Sequence, residues 1–308
     1  MIEGKFKIPN DLDLYKTLTC GQAFRWGLYE NGNFKYAKLD KDGFIYGIVY
    51  GNFLGLKQEG NYLFYKSSSE IFYIPQLKTY LNINDFLNFY FKFDKDITEL
   101  YRIMEKDEIL KDALIHRGIR ILRQEPFETA ITFIFSAQNT VHNISKCVYL
   151  LSKKFSERLI FPNAQFISKL SYDELKHLPV RFENRIITAI EFSKIILNGF
   201  DLYRLKNLTY EEAHQKLISI KGIGRKIADC ILLFSLDFDN AFPIDVHIKN
   251  VVFKLYKNHL NLKESKTLTD KTYKIIGDFF RKKYGNWAGW IQEYLYALSR
   301  TPDLKFSH

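Results

Sequence analysis

The chain has 308 residues, enough for one large domain or two of ordinary size, and its 46% hydrophobic content is that of a globular protein. Lys and Arg outnumber Asp and Glu by 45 to 35, and the net charge of +10 favours a polyanionic partner without specifying a fold. Cys20, Cys147 and Cys230 form no C-x-x-C, which argues against a disulfide framework or a structural zinc, and three thiols are too few for a four-thiolate iron–sulfur cluster.

The N-terminal stretch MIEGKFKIPNDLDLYK carries no apolar signal region, and no apolar run approaches membrane-spanning length. A reduced, soluble, cytoplasmic protein is the expectation. Up to about residue 80 the chain reads as short strands: NGNFKYAKL, GFIYGIVYG, NFLGLKQEG and NYLFYKSSS are aromatic and β-branched, broken by Gly and Asn. After YIPQLKTYLNINDF the texture changes. DITELYRIMEKDEILKDALIHR, FETAITFIFSAQ, HNISKCVYLLSKKF and NRIITAIEFSKIIL space their apolar residues helically. Ser171 three residues before Glu174, and Thr209 three before Glu212, are capping-box patterns. The reading is an α+β chain with a β-rich domain containing a few helices over 1–90 and a mostly helical one over 91–308.

Thr209 to about Ser219 reads as one helix, IKGIG as a tight turn, and Arg225 to Leu236 as a second helix. Gly222 and Gly224 can take positive φ and leave their N–H groups uncovered, so the turn could grip a backbone phosphate; it could equally be an ordinary helical hairpin. Arg225 and Lys226 sit in the first turn of the second helix, the end that repels cations. That placement, with Lys221 nearby, disfavours the ammonium form and suits a nucleophilic amine. The alternative for Lys226 is a surface contact to phosphate. In DNAFPIDVHIKNVV, Asp245 follows the Pro243 break and caps the next helix, ionised and fixed, while His247 either binds phosphate or packs.

The Gly-x-Gly hairpin, a lysine two residues after its second glycine, and PIDVH about twenty residues on together resemble the helix-hairpin-helix DNA glycosylase superfamily, with the lysine of its bifunctional branch. Three further stretches narrow the resemblance to 8-oxoguanine DNA glycosylase/AP lyases of the Ogg type, in their bacterial branch. They are LDLYKTLTCGQAFRW, RILRQEPFETAITFIFSAQNT and FFRKKYGNWAGWIQEYLYAL, and the similarity runs from about residue 12 to 300. It implies a TATA-binding-protein-like antiparallel β domain packed on a helical glycosylase domain. The partner would be duplex DNA carrying 8-oxoguanine, with the damaged base flipped out of the stack. It implies a monomer near the nucleoid and neither metal nor redox cofactor, although hairpin carbonyls of the family can hold a monovalent cation.

Carried over by resemblance, Lys226 attacks C1′ and Asp245 stabilises the oxocarbenium-like sugar. The Gly21 carbonyl accepts the N7–H that distinguishes 8-oxoguanine from guanine, and Gln292 reads the Watson–Crick edge. Tyr296 and Cys230 cover the two faces of the base, over a floor containing Phe234. Gly222, Gly224, Arg225 and His247 meet phosphate, Phe182 is the wedge, and Gln138 with Asn139 fills the hole left by the lesion. Phe24 and Trp26 read better as core. The chain departs from the family in two places. Lys221 stands where a proline is usual before the first glycine, and Asn143 and Glu183 stand where animal and fungal enzymes place arginines on the orphaned cytosine. The loss of guanidinium predicts weak discrimination of the opposite base. The rival readings are a glycosylase of this fold for another damaged base, and a non-catalytic damage-binding module.

Overall fold

A computed structural model describes residues 1–9, 11–30, 33–260 and 267–301. The N-terminal part forms an antiparallel sheet from β1 (Ile2–Lys7), β2 (Gly27–Glu30), β3 (Asn33–Tyr36), β4 (Ile45–Val49), β5 (Asn52–Glu59) and β6 (Tyr62–Ser67), in the order β1-β6-β5-β4-β2-β3. β1 and β5 flank β6, with Lys7 and Glu59 both opposite Tyr62. A separate hairpin joins β7 (Ile71–Ile74) to β8 (Thr79–Asn82). The period-two alternation puts Leu54, Leu56 and Leu63 on one buried face. Against that face lie α1 (Leu14–Thr19), through Leu14 and Leu18, and α2 (Ile83–Tyr90), through Phe86, Leu87 and Tyr90.

The remainder is helical: α3 (Thr98–Lys106), α4 (Pro126–Phe135), α5 (Val141–Phe155), α6 (Ala164–Ile167), α7 (Tyr172–Leu175), α8 (Asn184–Leu197) and α9 (Tyr210–Ile218). There follow α10 (Arg225–Ser235), α11 (Val246–Leu255), α12 (Lys257–Leu260), α13 (Asp270–Tyr284) and α14 (Ala288–Ser299). Their apolar faces build a second core around Ile134, Ile231, Val252 and Leu295. Both expected capping boxes form, at Ser171 with Glu174 and at Thr209 with Glu212. The segment DITELYRIMEKDEILKDALIHR, read as one helical run, divides into α3 and a 3-10 helix over Lys111–His116, and Asp107 caps the break. None of the described helices is long and apolar enough to cross a membrane.

Arg120, fully buried, joins the two cores: its guanidinium donates to the carbonyls of Phe91, Lys92 and Lys95, just beyond α2. Beside it, Lys92 is 1% exposed and pairs with Asp237 and Asp239 at 2.8 Å each, tying the end of α2 to the segment after α10. A buried ammonium is tolerable only when paired in this way.

Candidate active site

α9 and α10 form the hairpin read from the sequence, with Ser219 as the C-cap of one and Gly224 as the N-cap of the other. Gly222 has φ +92°, and a Cβ there would lie 2.5 Å from the Thr188 hydroxyl. Its carbonyl accepts a hydrogen bond from Arg185 Nη1 at 3.0 Å, which fixes the turn against α8. Gly224 is different. Its φ is −88°, so it needs no glycine-only conformation, but a Cβ on it would meet nothing within 4 Å. The space over the first turn of α10 is therefore open to a ligand.

The two cations of that first turn diverge. Arg225 Nε lies 3.4 Å from the Asp270 carboxylate, at the start of α13. Lys226 turns inward: its Nζ donates to Ser136 Oγ at 2.9 Å and stands 4.9 Å from the Phe133 ring centroid. Ser136, the C-cap of α4, donates in turn to the Phe133 carbonyl. The amine is held by one hydroxyl over an aromatic face, without a carboxylate partner among the described residues.

Lys226 opens into a cleft of about 1100 Å³. Asp245 lines the same cleft and caps α11, its carboxylate accepting the Ile248 N–H at 2.8 Å. Behind them the fully buried Asp229, one turn after Lys226, accepts from Tyr210 at 2.7 Å and Tyr273 at 2.6 Å. The Tyr273 hydroxyl also takes the N–H of Ile244, next to Asp245, at 3.2 Å. One buried carboxylate thus braces the segment carrying Asp245 against the helix carrying Lys226.

On the far wall, α14 presents Gln292 and Tyr296 from one face, as four-residue spacing requires. The Oε1 of Gln292 is buried and has no hydrogen-bond partner among the described residues. Gly21 has φ +108°, and a Cβ on it would lie 2.9 Å from the Tyr296 ring. Its turn is pinned by Gln22, fully buried, which donates to the Arg120 carbonyl and accepts the Leu122 N–H, both at 2.8 Å. Cys230 and Phe234 line the cleft from α10, Cys230 with its thiol pushed up to about 12 by burial. His247 meets Tyr296 edge to face, with 5.6 Å between centroids.

Of the residues singled out in the sequence, Gly21, Gln138, Asn139, Gly222, Gly224, Arg225, Lys226, Cys230, Phe234, Asp245, His247, Gln292 and Tyr296 all line this cleft. Gln138 takes φ +50°, a strained choice for a non-glycine residue. Asn139 is committed to the protein, donating to the Pro179 carbonyl at 2.9 Å. Asn143, Phe182 and Glu183 are not part of the lining. Phe182 is 40% exposed, Glu183 is exposed and precedes α8 without capping it, and Asn143 lies in the first turn of α5. Phe24 and Trp26 are both buried, although Phe24 also contributes to the cleft wall. Sequence reasoning missed Ser136, Gln22, Arg185, Asp229, Tyr273 and Glu293. Only pairing across the fold, not local pattern, could have found them.

Residues 5–130 match the family described as 8-oxoguanine DNA glycosylase, N-terminal domain, and residues 131–276 match the HhH-GPD superfamily of base excision DNA repair proteins. The chain is 29% identical to the N-glycosylase/DNA lyase of Saccharomyces cerevisiae, over 96% of its own length and 85% of the yeast protein. It is 29% identical to the N-glycosylase/DNA lyase OGG1 of Arabidopsis thaliana, covering 93% and 77% of the two chains. Its fold is similar to that of the Clostridium acetobutylicum 8-oxoguanine glycosylase/lyase in complex with double-stranded DNA containing cytosine opposite 8-oxoG. That likeness has a TM-score of 0.75 and 26% identity, over 96% of this chain and 97% of that one. With both halves matched in order and the fold shared end to end, the chain belongs to the Ogg-type helix-hairpin-helix DNA glycosylases.

Proposed function

We propose that the protein is a bifunctional DNA glycosylase/AP lyase that removes 8-oxoguanine from duplex DNA. The observation that carries this reading is the meeting of Lys226 and Asp245 with Gly21, Cys230, Gln292 and Tyr296 in one cleft. The names of its relatives, N-glycosylase/DNA lyases, support the same activity.

Unprotonated Lys226 Nζ attacks C1′ of the flipped nucleotide, and the N-glycosidic bond breaks with its electron pair leaving on the base. Asp245 stabilises the positive charge that grows on the sugar as that bond lengthens. One of the two amine protons goes to the departing base, and the other passes to the ring oxygen as the C1′–O4′ bond breaks and the sugar opens to the imine. Removal of a C2′ proton then expels the 3′ phosphate by β-elimination, and water releases the enzyme. The Gly21 carbonyl accepts the lesion's N7–H, Gln292 pairs with its Watson–Crick edge, and Cys230 and Tyr296 enclose its faces above Phe234. Gly222, Gly224, Arg225 and His247 hold the backbone. Phe182 wedges the duplex, while Gln138 takes the vacated space; Asn139, bonded to the Pro179 carbonyl, fixes the loop beside it instead of filling the hole itself.

Asn143 and Glu183 face the orphaned base without a guanidinium, so the opposite base is read weakly. The β-bearing segment 1–90 and the helical segment 91–308 serve as two domains that close on DNA from either side, a division supported by two cores that overlap at the boundary: Cys20 and Phe24 pack in the helical core, and Phe91, Phe93 and Leu122 in the sheet core. A monomer suffices, since every group named comes from one chain.

The test is single-turnover excision from duplexes carrying 8-oxoguanine, an oxidised pyrimidine or an alkylated purine, followed by 8-oxoguanine opposite each of the four bases. The expected order places 8-oxoguanine ahead of the others by at least about tenfold, with the four opposite bases within roughly tenfold of one another. A steep preference for cytosine would refute the weak reading of the opposite strand, and faster release of either other lesion would refute the substrate.

A further inference from the structure

We propose that Glu293 is a specificity-determining residue of the base pocket: its unpaired carboxyl oxygen sets an acceptor beside Gly21 and favours a purine that carries a proton on N7 over one that presents a lone pair there. This inference rests on the 8-oxoguanine reading above.

Glu293 is 2% exposed and lines the cleft, and while its carboxyl bonds the Cys20 thiol, its Oε1 has no hydrogen-bond partner among the described residues. An orphaned carboxyl oxygen in a buried site is costly unless a donor arrives. On α14 it follows Gln292 and precedes Tyr296 by three residues, so the tyrosine lies between them on the helix surface. Gln292 and Glu293 therefore approach the pocket from opposite flanks of Tyr296. On its own flank Glu293 meets the thiol of Cys20, the residue before Gly21. It thus shares a side of the pocket with the carbonyl that accepts N7–H in the proposed reading, whereas Gln292 serves the Watson–Crick edge.

The titratable and charged groups around Glu293 are Cys20, Tyr36 on β3, Cys230 on α10, Asp245 at the start of α11, and Tyr296 and Arg300 on and after α14. Burial raises the Glu293 carboxyl to about 7, with Asp245 adding to the rise and Cys20 and Arg300 opposing it. Below that point the group is an acid whose O–H can donate to the N7 lone pair of guanine. Above it the group is an anion that attracts N7–H and repels the lone pair. Selectivity for the oxidised base should therefore increase with pH.

The experiment uses Lys226→Gln protein, whose missing amine leaves binding to be read without strand cleavage. Fluorescence anisotropy gives its affinity for duplexes with 8-oxoguanine or guanine at one position, at about pH 6 and about pH 8. The guanine-to-lesion Kd ratio should widen by roughly threefold or more at the higher pH, remain flat in K226Q/E293Q, and widen again in K226Q/E293D. A ratio that is flat in K226Q, or that widens equally in K226Q/E293Q, overturns the inference, and the first of these needs no further variant to fold. No preference for the lesion at either pH would instead overturn the 8-oxoguanine reading itself, and this inference with it.

Discussion

At Asp245 a cap and a charge reside in one side chain, and substitution can separate them. The carboxylate accepts the Ile248 N–H while lining the cleft. Asp245→Asn keeps a capping oxygen and removes the charge, so its stability in urea should stay within about 1 kcal/mol of the parent. Single-turnover excision should nevertheless fall on the order of a hundredfold, the scale of losing one group aimed at developing charge. Asp245→Ala should lose a similar amount of activity and about 1 kcal/mol of stability as well. Unchanged excision in the asparagine variant would reduce Asp245 to a cap. Glu293 makes a prediction of the opposite kind. Its folded carboxyl titrates at about 7. The unfolded group titrates near about 4.3, so folding takes up a proton between the two values and stability falls as pH rises across that window. Glu293→Gln should therefore be nearly neutral at about pH 4 and stabilising by roughly 3–4 kcal/mol at about pH 8, measured by urea unfolding. A pH-independent difference would contradict the raised value.

The hairpin between α9 and α10 is the element most exposed to a single backbone change. At Gly222 both the positive φ and the contact with Thr188 oppose a side chain. Gly222→Ala should lower stability by about 1–3 kcal/mol and weaken DNA binding in parallel, as read by denaturation and anisotropy. Adding Thr188→Ala should recover part of the stability, because it removes the nearest atoms but not the dihedral strain. Full recovery would show that only the steric contact mattered. This hairpin and the cap at Asp245 were legible in the sequence because their signals are local: capping boxes, paired glycines, and an aspartate after a proline. Other elements left weaker marks. α1 lies within a stretch read as strands, although Asp13, accepting the Lys16 N–H at 2.9 Å, is an N-cap signal of the usual kind. The β7–β8 hairpin lies at the end of the stretch read as strands, but neither of its strands was picked out there, since four-residue strands carry too few alternations to declare themselves. Glu293 left no mark because α14 is buried nearly all round, so no polar stripe sets one carboxylate apart.

Across the whole molecule, the pocket depends on residues about a hundred positions apart being locked together. Gln22 fastens the Gly21 turn to the strip from Arg120 to Leu122, and Arg120 in turn holds the chain leaving α2. Gln124 returns a hydrogen bond to the Gln22 carbonyl at 2.8 Å. The carbonyl proposed to read the base is thus carried by the sheet-bearing segment, whereas the amine and carboxylate come from the helical one. A buried, fully bonded glutamine is a rigid way to connect them. Such long-range pairing has no local periodicity, which is why GQAFRW could be matched to a family while the role of its glutamine stayed hidden. The central claim is that one amine, presented from the first turn of α10, becomes covalently attached to the damaged nucleotide. Borohydride trapping on a duplex carrying 8-oxoguanine tests it most directly. The native protein should form a reduction-dependent adduct with the lesion strand, and Lys226→Gln should form none while excision and strand scission fall by roughly a thousandfold or more. An adduct of undiminished yield in the glutamine variant, or scission at the native rate, would contradict the account.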